Sequence, residues 1–137
     1  MHYRLVLSML ALLFTASVVQ PAQAVLQFQK EFVNLYVGDD KESDWALEVK
    51  AAKCWVCHQG KLRKHHNPYG QLLVPLLDKK KDAKNPEKIV EALKKVADMH
   101  SVEGDDKSPT FGELIKSGKL PGGSLDDCKK EPETTEE

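Results

Sequence analysis

Apolar residues recur at helical spacing along most of this chain. Phe28, Phe32, Leu35 and Tyr36 stand at i, i+4, i+7 and i+8, which predicts a helix over 28–37 ended by Gly38-Asp39-Asp40. Ser43 and Asp44 can cap a second segment, whose Trp45, Val49 and Ala52 share a face and lead into Cys54. Asn67-Pro68 is a helix start, because Asn accepts orphan amides and Pro tolerates the first helical position. Leu72, Leu73, Leu76 and Leu77 continue it as a stripe that Pro75 should kink or shorten. Asn85-Pro86 repeats the start signal, and Ile89, Val90, Leu93, Val96 and Ala97 form the clearest amphipathic pattern in the chain. Thr110 with Glu113 matches a capping box, followed by Leu114, Ile115 and a stop at Gly118. No run alternates with period two over a useful length. The expected fold class is therefore all-α, a small domain of four or five short helices.

The two ends differ from this middle. Met1 to Arg4 is short and positive, Leu5 to Val19 is almost unbroken in its apolarity, and Ala22-Gln23-Ala24 offers a small-x-small cleavage pattern. This reads as an export signal cleaved after Ala24. The apolar run of about 15 residues is short of the roughly 20 that cross a hydrocarbon core, so no membrane span is expected in the mature chain. From 126 to 137, Asp126, Asp127, Glu131, Glu133, Glu136 and Glu137 outweigh Lys129 and Lys130, which predicts a flexible acidic tail. The expected organisation is a signal over 1–24, one domain over 25–125 and a tail over 126–137, in an exported, periplasmic protein. With the signal removed, acidic residues outnumber basic ones by two. That balance does not suit a nucleic-acid binder.

Cys54-Trp55-Val56-Cys57-His58 is the string that carries chemistry. Two thiols three positions apart can each add across a haem vinyl group, and the adjacent imidazole then lies under the iron. C-x-x-C-H thus reads as a c-type haem attachment, with His58 as the proximal ligand. Attachment of this kind takes place outside the bacterial cytoplasm, so the export signal agrees with it. A thioredoxin-like motif would want a preceding strand and a mixed α/β fold. Structural zinc would want a second ligand pair, and none is present. The mature chain holds a third cysteine, Cys128, which the haem leaves without an intrachain partner. In an oxidising compartment it is a candidate for a disulfide-linked homodimer, with a buried free thiol as the alternative.

The far side of the iron has several candidates. Met9 leaves with the signal, and Met99 is then the one methionine of the mature chain. It ends the strongest helix, far enough beyond His58 for the chain to round the haem edge. His100 is the runner-up. His65 and His66 follow His58 too closely to reach the far face easily, and Cys128 or an open site completes the set. Met99 as distal ligand would raise the potential relative to bis-imidazole ligation.

On these residues the chain resembles the small monohaem class I-type cytochromes c, with a helix leading into C-x-x-C-H and a late methionine. The stretch from Ala52 to Lys61, Asn67-Pro68-Tyr69-Gly70, and the stretch from Thr110 to Pro121 are more specifically similar to exported haem-binding proteins of planctomycete-type bacteria. The similarity covers roughly 28–123. It implies a cytochrome c-like helical domain wrapped around one covalent haem c. It departs from ordinary members in having no proline-rich methionine loop and a short last helix.

Two strong axial ligands leave an iron that can only gain or lose an electron. Periplasmic single-electron transfer between redox partner proteins is therefore the first functional expectation, and a non-enzymatic one. Lys61, Arg63 and Lys64, or the run Lys79-Lys80-Lys81, could steer an acidic partner, although lysine runs mostly keep loops soluble. The alternative is a gas-binding or sensor haem with a weak or absent distal ligand. A peroxidase-like enzyme would need an acid–base pair over open iron, for which only His65 with His66 can be named.

Overall fold

The computed structural model describes residues 22–132, with side chains described from Leu26 onward. The expected signal lies outside the described residues except for its last three, which open the first helix. Residues 133–137 also lie outside. The helices are α1 (Ala22–Tyr36), α2 (Asp44–Ala52), α3 (Pro68–Leu73), α4 (Pro86–Ala97), α5 (Phe111–Lys116) and α6 (Leu125–Lys129). A single 3-10 turn, Lys53–Val56, joins α2 to a two-stranded ladder of β1 (His58–Gln59) and β2 (His65–His66). No helix among the described residues is long and apolar enough to cross a membrane.

The helix ends follow the local chemistry of the chain. Gly38, at φ 65°, takes the left-handed turn that closes α1. Ser43 accepts from the Ala46 amide at 3.2 Å, and Asn85 accepts from the Lys88 amide at 3.1 Å. Thr110 and Glu113 form both bonds of a capping box, at 2.7 and 3.2 Å. Pro75 limits α3 to six residues, and a looser turn carries the chain on through Leu76 and Leu77.

About half of the described residues are helical, so the fold is mixed rather than purely helical as the apolar spacing predicted. The ladder pairs His58 with His66 and Gln59 with His65, antiparallel. Strands of two residues are too short to leave an alternating pattern. They exist because Gly60 at φ 83° and Arg63 at φ 54° turn the chain back on itself, and left-handed conformations at both positions tighten the loop.

The core lies where α1, α3, α4 and α5 meet. Phe32, Tyr69 and Phe111 run through it as an aromatic row, with ring centroids 6.1 and 5.3 Å apart. Ile89, Leu93 and Val96 of α4 close it, each at most 2% exposed. Two hydrogen bonds tie the first two helices in: Trp45 Nε1 donates to the Tyr36 carbonyl at 2.9 Å, and the Tyr36 hydroxyl donates to the Leu93 carbonyl at 3.1 Å. The Tyr69 hydroxyl is buried with no hydrogen-bond partner among the described residues.

The expected tail is not a tail at its start. Ser124 caps α6 by accepting from the Asp127 amide at 3.2 Å, and the helix packs on β1 and the 3-10 turn. Cys128 is only 1% exposed, and its carbonyl accepts from the Gly60 amide at 2.9 Å. Glu131 accepts from the Lys61 amide at 2.9 Å. The acidic composition of this stretch masked a docked helix whose one buried side chain is a cysteine. Of the two alternatives for Cys128 the structure has the buried free thiol, and α6 would have to detach before the sulfur met a second chain. Burial also raises the Cys128 thiol above its ordinary pKa. Cys128 should therefore react slowly with an aromatic disulfide reagent in native protein and rapidly in denaturant. The protein should run as a monomer on a non-reducing gel. Equal native and denatured reaction rates would show that α6 is not docked.

Candidate haem attachment site

The attachment motif begins where α2 breaks. Lys53 takes φ 50° and ψ −117°, dihedrals that glycine usually supplies at the first central position of a type II′ turn. The break lets the 3-10 turn swing Cys54 and Cys57 to one side. Both thiols are free, and both line a cavity of about 240 Å³. Phe28 and Phe32 of α1, Val56, Leu73, Val74, Leu77 and Leu93 supply its apolar walls. His58, His66, Lys53 and Lys79 also line it.

The turn is held from behind by Asn67, which is fully buried. Its Nδ2 donates to the carbonyls of Trp55 at 3.0 Å and Val56 at 3.1 Å, and its backbone amide donates to the Cys57 carbonyl at 3.1 Å. Its Oδ1 accepts from the Gly70 amide at 2.9 Å, so the same side chain caps α3. Gly70 has to be glycine. A Cβ there would stand 1.9 Å from the Cys57 carbonyl oxygen, so any side chain would push α3 off the motif.

His58 is oriented by the ladder. Its Nδ1 lies 3.3 Å from the His65 carbonyl. With the Nδ1 proton donated there, the lone pair sits on Nε2, the atom an iron would take. Burial first, and then the charge of His66, holds His58 below the usual imidazole pKa. The neutral ring is the form that binds metal. The His66 ring stacks on His58 at 4.7 Å between centroids, with 30° between planes. Two imidazoles on opposite faces of one iron need a macrocycle between them, and rings stacked this closely leave no room for one. His66 therefore packs against the face of the His58 ring, and His65 contributes its carbonyl while its side chain is exposed.

Met99 and His100 are elsewhere. Helix α4 ends at Ala97, so the buried stripe stops at Val96 and Ala97 rather than reaching position 99. Met99 is 41% exposed, and its carbonyl accepts from the Phe111 amide at 3.0 Å. His100 bridges to Thr110, and its ring is bonded to the Ser108 carbonyl. Neither residue lines the cavity, so the arrangement does not bring the expected distal ligand to the attachment motif.

Trp55 stands on the outer side of the turn. Its indole N–H donates to the Gly60 carbonyl at 3.2 Å. The Arg63 guanidinium and the Lys129 ammonium lie 5.8 and 5.7 Å from its ring centroid. The pattern Asn67-Pro68-Tyr69-Gly70 was legible as a helix start, but its grip on the motif was not. That grip depends on where the turn lies in space.

The donor set suits a haem attached through two thioethers. Two unpaired thiols and one oriented imidazole lie on the wall of an apolar cavity, and the Lys53 and Lys79 chains at the same wall could meet carboxylates. It suits the rival chemistries less well. Burial, with added repulsion from Cys54 and Cys128, pushes the Cys57 thiol up to about 12, whereas thiol–disulfide exchange calls for a lowered pKa. Among the described residues no three His, Cys, Asp or Glu side chains converge on a metal position. No protein family matches the chain, and no curated protein or solved structure does so either.

Two substitutions test the clamp. Asn67→Ala removes a cap and strands the buried Val56 carbonyl and the half-buried Trp55 carbonyl, and should lower stability by about 2–4 kcal/mol. Gly70→Ala should cost about 1–3 kcal/mol through overpacking against the Cys57 carbonyl. Urea unfolding should report both as a lower midpoint with an unchanged slope. An Asn67→Ala midpoint within error of the parent would contradict the clamp.

Proposed function

We propose that this is an exported protein that carries one covalent c-type haem on Cys54, Cys57 and His58, in a cytochrome c-like helical domain, and that it moves single electrons. The observation that carries the reading is the apolar cavity wall shared by the two free thiols and the His58 ring, with the ring's Nδ1 at the His65 carbonyl. The resemblance of the motif to small monohaem cytochromes c supports it, as does the signal-like start of the chain. Bound haem supplies a one-electron couple. The protein does the rest. Cys54 and Cys57 would hold the group through two thioethers, and His58 would supply a nitrogen ligand to its iron. Asn67 keeps the motif rigid, which limits rearrangement between oxidation states. Phe28, Phe32, Leu73, Leu77 and Leu93 exclude water.

Met99 remains the proposed second ligand for the carrier. A second reading is favoured by a specific observation: Met99 and His100 are both absent from the cavity lining. In that reading the far side of the iron stays open, and the protein binds a small gas such as CO or NO.

Two measurements test the pair. Denatured protein should keep its haem through acid–acetone extraction, and the mature mass should exceed that of the polypeptide by one haem. Release of the haem would refute covalent attachment. Ferrous protein mixed with CO should then show no spectral change, and the oxidised protein should show the weak far-red sulfur-to-iron band that Met99→Ala abolishes. A prompt CO spectrum in the unmodified protein would select the gas-binding reading instead.

A further inference from the structure

We propose that α6 and Glu131, just beyond it, position the His58 ring: the Cys128 carbonyl and the Glu131 carboxylate brace the hairpin loop, and the loop keeps the His65 carbonyl on His58 Nδ1. The inference rests on reading His58 as a ligand to haem iron. It adds the residues that set this ring from a distance.

The loop between the two strands, residues 60–64, needs an outside support. Its internal backbone bond runs from the Arg63 amide to the Gly60 carbonyl at 3.0 Å. Arg63 takes a left-handed conformation without being a glycine, at φ 54°, which costs conformational energy. The amides of Gly60 and Lys61 find their acceptors near the far end of the described stretch. The Gly60 amide donates to the Cys128 carbonyl at 2.9 Å. The Lys61 amide donates to Glu131 Oε1 at 2.9 Å, across 70 residues of chain. Gly60 is buried under this contact, and any side chain there would collide with the Glu131 carboxylate.

From the loop the constraint reaches His58 in two steps. The ladder pairs Gln59 with His65 and His58 with His66, so a loop that keeps its shape keeps that register. The register in turn places the His65 carbonyl 3.3 Å from His58 Nδ1. That is a long hydrogen bond, and a small slip of a two-residue strand would lose it. The Arg63 backbone also bonds the His58 ring, so both backbone groups that act on it belong to this hairpin. The stacked His66 ring covers a face of His58 and does not choose between its nitrogens. Helix α6 packs chiefly on β1 and the 3-10 turn, and Cys128 is its one buried side chain. Its placement is that of a brace on the motif rather than of a core helix.

The test uses the full exported chain and two substitutions of Glu131. Before haem is attached, long-range proton–nitrogen NMR above the imidazole titration range reads which nitrogen of His58 bears the proton. The parent should show the Nδ1–H form alone. Glu131→Ala should bring in the Nε2–H form. Amide exchange at Lys61 should speed by about tenfold or more, while Leu93 in α4 stays protected and reports an intact fold. Glu131→Gln keeps an acceptor oxygen without the charge, and should retain the parent tautomer. Once haem is attached, Glu131→Ala should raise the reduction potential, because an imidazole that loses its Nδ1–H bond is a weaker donor to ferric iron. The Glu131→Gln potential should stay closer to the parent than to the alanine variant. Faster Lys61 exchange in Glu131→Ala with an unchanged tautomer and potential would mean a merely structural contact, and would overturn the proposal. So would a Glu131→Gln protein that behaves as the alanine variant does, since charge alone would then carry the effect. Should no covalent haem form, the haem reading fails while the NMR result still decides the positioning.

Discussion

A single buried amide holds the attachment motif in shape. Asn67 reaches three consecutive carbonyls, those of Trp55 and Val56 through its side chain and that of Cys57 through its backbone, while its Oδ1 caps α3 through Gly70. Carbonyls in a tight turn cannot all find partners within the turn, and leaving one buried and unpaired costs on the order of 1–3 kcal/mol. Asparagine answers this with two donors and an acceptor on one short, stiff side chain. Aspartate would bring an acceptor where Nδ2 donates, and glutamine would place its amide one methylene too far. The spacing from motif to asparagine is set by the hairpin between them. The ladder therefore has to be as short as it is, so that the chain returns to the back of the turn that it left.

The front and outer side of the motif are held differently. Aliphatic and aromatic side chains from α1, α3 and α4 make the cavity, so its shape depends on ordinary core packing. The outer side is polar. Trp55 lies among cations, Gly60 lies against the Glu131 carboxylate, and α6 donates nothing apolar except Leu125 and the Cys128 sulfur. A Cβ at Gly60 would stand 2.4 Å from Glu131 Oε2, so this glycine serves both the left-handed turn and the approach of the chain end. The motif is thus gripped between a dry face and a wet one.

Much of this was legible in the chain, and the reasons differ by element. The caps at Ser43, Asn67, Asn85 and Thr110 were readable because a cap is a local bond between residues three apart. The α4 stripe was readable because twelve residues give enough turns for a period to show. The ladder was not, because two residues carry no period. Helix α6 was hidden by its own composition, since its docking relies on backbone bonds to Gly60 and Lys61 rather than on an apolar face. Met99 failed as a cavity residue for a related reason. Periodicity predicts which face a residue would occupy if the helix continued, and the helix stops at Ala97. The C-x-x-C-H string itself was readable because its five residues are contiguous in the chain, whatever fold surrounds them.

The grip on the motif also links the two ends of the described stretch. Phe28 and Phe32, from the first described helix, stand against it on one side, while Cys128 and Lys129, from the last, and Glu131 just beyond it, stand against it on the other. Both ends of the described stretch are thus part of the support for a central loop. Loosening either end weakens the same few residues, so partial opening at one end gains little entropy before it forfeits contacts at the middle. The described residues have no independent outer layer to shed, and their unfolding is expected to be a single cooperative event that begins and finishes at the loop carrying Cys54 and Cys57.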